Sequence, residues 1–74
     1  MMLKHLNKST EIMVSTVKLP DFFGLKVSPY ETCIFDDLEG SSEVVRVYKD
    51  EHSAAEGHRF FCKRYQATTP VEFE

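Results

Sequence analysis

The chain is poor in the residues that mark many functional classes. It has three glycines, three prolines, two cysteines and no long apolar run. Nothing approaches the ~20 consecutive apolar residues of a membrane helix. No apolar stretch near the start has the length of a secretory signal, so the expected compartment is a reducing cytosol. Two cysteines make no disulfide framework. Cys33 is expected mid-strand and Cys62 mid-helix, and both read as buried thiols. A bridge between them would require the helix to lie across that strand face. Gly24, Gly40 and Gly57 are isolated, which removes a Gly-rich phosphate loop and a GxSxG nucleophile elbow. No CxxC or HxxxH pair is present.

What is there describes one small domain. The chain has 74 residues. A chain this short buries only about 60% of the surface that its unfolded form exposes. Such a core supplies no more than roughly 3–5 kcal/mol net, so small chains often rely on a staple or a partner. Nine basic and twelve acidic residues give a net charge of −3. That balance argues against non-specific nucleic-acid binding, which needs a basic patch. A nucleic-acid mimic would need a far denser acidic surface.

Residues 1–10 carry Met2, Leu3 and Leu6 without a sustained period. They read as a flexible N-terminal extension, or at best the start of a strand, with residues 11–74 forming the single domain. Residues 12–19 are rich in β-branched types and predict a strand that Pro20 ends. Met13, Ser15, Val17 and Leu19 share one face of it, and Ile12, Val14, Thr16 and Lys18 the other. The connector 20–29 is unusually apolar, with Phe22, Phe23, Leu25 and Val27. It either folds back over the sheet or offers an aromatic patch to a partner. Residues 29–36 form the best strand, apolar on both faces as in the middle of a sheet. Asp36 to Ser42 is an acidic turn with Gly40 available for positive φ. Residues 43–48 return antiparallel.

One helix is expected over 51–65. Asp50 can cap it, with Ser53 a competing choice. Glu51 and Lys63-Arg64 suit the two ends of its dipole. At ~100° per residue, Phe61, Ala54, Tyr65, His58, Cys62 and Ala55 share one face, opposite Arg59, Lys63 and Glu56. Ala54, Ala55 and Gly57 allow close approach to the sheet. Phe60 breaks the pattern by falling on the polar side. The tail 66–74 either adds a short C-terminal edge strand or stays loose. The fold class is therefore α+β, a three-stranded antiparallel sheet with one packed helix.

Candidate chemistry is sparse. His58 and Cys62 are four apart on one helix face and could hold a metal if Cys33 or His52 completed the site. His52 lies off that face, and His58 reads better as a buried histidine bonded to a strand group such as Glu31 or a tyrosine hydroxyl. No metal and no cofactor is expected. Cys62 with His58 as nucleophile and base conflicts with an apolar location. Asp36, Asp37, Glu39 and Glu43 lack the spacing of a calcium loop and read as a solvated turn. The surplus aromatics Phe22, Phe23 and Phe60 have the character of interface anchors.

Ser15-Thr16-Val17-Lys18-Leu19, Tyr30-Glu31-Thr32-Cys33-Ile34-Phe35, and Tyr48 followed by Ala54 and Gly57-His58 resemble a group of small uncharacterised proteins of tailed bacteriophages and prophages. Their shared order covers about residues 14–65. Each motif is weak alone, and the order and spacing make the set specific. Cys33 stands where that family usually has Met, Lys49 and Asp50 replace its usual capping residues, and Ala55 is less polar than its counterpart. The family carries no known activity. The resemblance implies the cytoplasm of an infected bacterial host as the setting, and a folded body that starts after residue 12.

These readings converge on a non-enzymatic phage accessory protein. It would act by binding a host or phage protein, modulating host machinery or defence, and could pair with itself. Phe22, Phe23 and Phe60 are the interaction candidates. The alternative is a nucleic-acid-binding regulator using Arg46, Lys49, Arg59, Lys63 and Arg64. A small metal or redox module using Cys33, His58 and Cys62 is the remaining option.

Overall fold

The computed structural model describes residues 2–20 and 29–72. It is α+β, with one helix packed on an antiparallel sheet of five strands. The strands are β1 (Met2–Asn7), β2 (Ile12–Lys18), β3 (Tyr30–Asp36), β4 (Ser41–Tyr48) and β5 (Thr69–Pro70), and the helix is α1 (Glu51–Tyr65). Their order across the sheet is β4-β3-β2-β1-β5. The first four strands form an antiparallel meander. The chain then crosses from β4 at one edge to β5 at the other, and α1 makes that crossing over one face.

The three expected strands and the helix are present, and the sheet is larger than expected. Residues 2–7, outside the three expected strands, form a further strand of the sheet. They pair with β2 in register from Met2↔Val17 to Asn7↔Ile12. The local pattern hides this because the inward positions of β1 are Leu3, His5 and Asn7, of which one is apolar. Tertiary partners hold the strand instead. Asn7 Nδ2 donates to the Tyr65 carbonyl at the end of α1 (2.9 Å). Asn7 Oδ1 accepts from the amides of Ser9 and Thr10 in the turn to β2. The tail does add an edge strand, but only two residues long, paired with His5 and Leu6. Pro70 cannot donate to a further ladder, so that edge is closed to extension.

Local chemistry explains the other boundaries. Asp36 Oδ1 accepts from the amides of Leu38 and Glu39, and Gly40 takes φ 68°, which together turn β3 into β4. The acidic turn is thus a hairpin device. Asp50 caps α1, its carboxylate accepting from the Ser53 amide at 2.7 Å. That bond pulls the Asp50 carboxyl below its ordinary range. At the other end Gln66 adopts the left-handed conformation and its amide meets the last carbonyls. The Leu19 amide donates to the Pro29 carbonyl, tying together the ends of the connector between β2 and β3.

Strand alternation divides the sheet into two faces. Leu3, His5, Val14, Thr16, Tyr30, Thr32 and Tyr48 look toward α1. Met2, Leu6, Met13, Val17, Cys33, Phe35, Val44 and Val47 look away from it. The layer under the helix contains Val14, Tyr30, Tyr48 and Ala54, with Thr16, Thr32 and His58 buried among them. Ala54 and Gly57 bring the helix close enough that a β-carbon on Gly57 would collide with the Tyr48 ring.

Candidate functional site

The centre of the molecule is a single-file chain of polar side chains. His5 Nδ1 lies 2.8 Å from His58 Nε2. His58 Nδ1 lies 2.7 Å from Thr16 Oγ1. Thr16 and Thr32 hydroxyls are 2.6 Å apart, and Thr32 Oγ1 is 3.0 Å from the Tyr48 hydroxyl. Four strands and the helix each contribute one link. Every hydroxyl along it must give one hydrogen and receive one, so the links share a common polarity. Either His5 donates first and the direction runs to Tyr48, or Tyr48 donates and it runs back to His5. Among the described residues, no buried side-chain nitrogen or oxygen lacks a partner.

His58 is a buried histidine, as its helix position implied, but its partners differ from those expected. Glu31 is on the other face of the sheet, and the tyrosine hydroxyl is reached only through Thr32. Burial, with His5 beside it, lowers the His58 pKa from 6.5 to about 4. The imidazole is therefore neutral at neutral pH, with one nitrogen able to accept.

Cys62 Sγ and one ring nitrogen each of His58 and His5 lie within 4.8 Å of one another. This is the one place among the described residues where three metal-ligating side chains gather. The third member is His5, contributed by the strand that the local pattern hides. Cys33 does not join it, because the Thr32-Cys33 alternation sends the thiol to the opposite face. There it approaches Glu31 Oε1 at 3.7 Å. Both thiols are free. Burial raises the Cys62 pKa. Burial, then the Glu31 charge and hydrogen bond, raise that of Cys33. Neither has the depressed pKa of a cysteine nucleophile.

Phe60 is 56% exposed on the outer side of α1, with its ring edge-on to Phe61 at 5.1 Å between centroids. It borders an open groove with Arg46, Tyr48, Ser53, Glu56 and Gly57. Phe22 and Phe23 lie outside the described residues. Arg46 on β4, Lys49 in the following turn and Arg59, Lys63 and Arg64 on α1 are all exposed, and Glu51 and Glu56 lie on the same helix. His52 pairs with Glu56 on the exposed side at 3.1 Å, far from the buried histidines in orientation.

The face away from α1 is largely apolar, with Lys4, Ser15 and Glu31 set among its apolar side chains, and carries no element across it among the described residues. Its margin is the most open part. Met2 on β1 is 54% exposed, and Val44 and Val47 on β4 are 51% and 52% exposed. β4 is also the long outer strand, with no neighbour beyond it among the described residues. A register irregularity opposite Thr32 and Cys33 bends it locally. Among the described residues no helix is long and apolar enough to cross a membrane.

No protein-family model, curated protein or solved structure matches the chain.

Proposed function

We propose that this is a non-enzymatic interaction protein that binds a protein partner through the helix-free face of its sheet, along β4. The carrying observation is the pair Val44 and Val47, each about half exposed on the outer strand. An apolar margin beside an unpaired strand edge can accept a partner in two ways. Side chains pack against Val44, Val47 and the neighbouring Phe35, and a partner strand can pair with the free edge of β4. The buried polar chain has the character of a structural network, since its members satisfy one another.

The setting follows from the resemblance to small phage and prophage proteins. We read the chain as a phage accessory protein acting in the host cytoplasm on host machinery or defence. Its partner is a host or phage protein with an apolar surface, or a second copy of the chain. Phe60 forms a second, separate aromatic contact on the helix side.

Glutamate at positions 44 and 47 tests this reading. In an apolar contact each charge would have to be desolvated, so Val44→Glu/Val47→Glu should weaken partner or self-association at least tenfold. A variant with unchanged mass in solution and unchanged partners would remove β4 as the binding edge.

A further inference from the structure

We propose that His5, His58 and Cys62 form a three-ligand binding site for a late transition-metal ion, Zn(II) above all, with water in the fourth position. The site lies on the helix side of the sheet and stands apart from the apolar face.

The donor set is the first argument. Two imidazoles and a thiol are the ligands that borderline ions such as Zn(II) select, whereas calcium and magnesium call for oxygen. His58 and Cys62 are successive-turn neighbours on α1, and His5 enters from β1. Their donor atoms lie within 4.8 Å of one another. Tetrahedral zinc, with bonds of about 2.0–2.3 Å, needs donors roughly 3.3–3.6 Å apart. The two imidazoles, 2.8 Å apart, must therefore open slightly and the sulfur must move inward. Both are side-chain adjustments around a fixed backbone.

The outer shell is the second argument. A ligating histidine is normally fixed by a hydrogen bond from its other ring nitrogen. His58 Nδ1 has such a partner in Thr16 Oγ1 at 2.7 Å. Thr16 is fully buried and is itself held by Thr32, which is held by Tyr48. With the metal bound, Nδ1–H donates to Thr16, Thr16 to Thr32, and Thr32 to the Tyr48 oxygen. That polarity leaves the His58 Nε2 lone pair aimed at the shared site. His5 and Cys62 are only half buried, which gives an ion a way in.

The proton count follows. In the metal-free protein a single hydrogen lies between His5 Nδ1 and His58 Nε2. On binding, that hydrogen moves to the other nitrogen of the ring that carries it, with no net release. The Cys62 thiol loses its proton to solvent. Binding therefore releases the thiol proton.

The test uses the untagged full chain, stripped of metal and titrated with Co(II) and then Zn(II). The expected result is a thiolate-to-cobalt charge-transfer band saturating at one ion per chain, displaced by zinc, with a zinc-dependent rise in Tm. Cys62→Ser should abolish the band. Cys33→Ser should keep it. Thr16→Val, which leaves all three ligands in place, should weaken zinc binding about 10–100-fold. If Cys62→Ser does not fold by circular dichroism, His5→Gln takes its place and should weaken zinc binding by more than Thr16→Val does. A wild-type protein with neither the band nor a zinc-dependent Tm shift overturns the site. So does a band that survives in folded Cys62→Ser or vanishes in Cys33→Ser.

Discussion

Gly57 of α1 lies against the ring of Tyr48, with no room between them for a β-carbon. The contact seats the first turns of the helix on the end of β4. It also holds the Tyr48 hydroxyl at the end of the polar chain. In an exposed helix, alanine for glycine would gain up to about 1 kcal/mol. Here the added methyl must displace a buried aromatic ring, an overpacking cost of typically about 1–3 kcal/mol. Gly57→Ala is therefore expected to lower stability, measured as a lower urea midpoint. A higher midpoint would contradict the packing described.

The Thr16 hydroxyl joins the two halves of the polar chain, so its loss should outweigh the loss of its methyl. Thr16→Val keeps the volume but leaves His58 Nδ1 and Thr32 Oγ1 without that partner. Leaving buried polar groups unmet costs about 1–3 kcal/mol. Thr16→Ser keeps the hydroxyl and loses one methyl group, worth about 1 kcal/mol. Serine is expected to be the more stable variant by denaturant unfolding. The reverse order would show that the chain contributes little.

Stability of the metal-free protein should depend on the charge of His58. Its folded pKa is lowered to about 4 by burial and by neighbouring His5. The unfolded imidazole titrates near 6.5. Between these values the unfolded chain binds the proton and the folded chain resists it. The contribution is therefore complete above about pH 6.5 and is lost progressively as pH falls to about 4. A shift of this size corresponds to an order of 3 kcal/mol. Denaturant titrations at pH 7, 5.5 and 4 in the presence of chelator measure it. A flat profile, or greater stability at pH 4, would be inconsistent with a neutral buried His58.

Cys33 and Cys62 lie on opposite sides of the sheet, one on its free face and one under the helix. Mild oxidation should therefore give no intramolecular bridge. Mass spectrometry of alkylated, non-reduced protein is expected to find two free thiols or chains joined to each other. An internal Cys33–Cys62 crosslink would contradict the strand parity.

Much of the fold is legible in local pattern, and the centre of it is not. α1 is readable because its apolar period, the Asp50 cap and the terminal charges agree. β3 and β4 are readable from β-branched runs bracketing an Asp-rich turn with Gly40. β1 escapes because its buried positions are filled by Leu3, His5 and Asn7. Their partners are 53 residues away in sequence for His5 and 58 for Asn7. No short window contains that information. Strand parity placed Thr16 with Val14 and Thr32 with Tyr30, without showing which face is buried. That the two threonines meet each other and His58 depends on the β2–β3 register and on where α1 lands. The helical wheel correctly turned His58 and Ala54 inward and left Phe60 outside. It could not supply the third donor beside Cys62, because that donor belongs to β1.

The most direct test of the interaction reading is quantitative affinity capture from bacterial cells producing the tagged chain, run in parallel with sedimentation of the purified chain. Wild type, Val44→Glu/Val47→Glu and Gly57→Ala are compared at equal abundance, with Gly57→Ala reporting on general destabilisation. The account predicts a partner, or a second copy of the chain, that is held by wild type and by Gly57→Ala and lost from the β4 variant. Equal recovery of the same proteins with wild type and the β4 variant, or no association by wild type in either experiment, would contradict it.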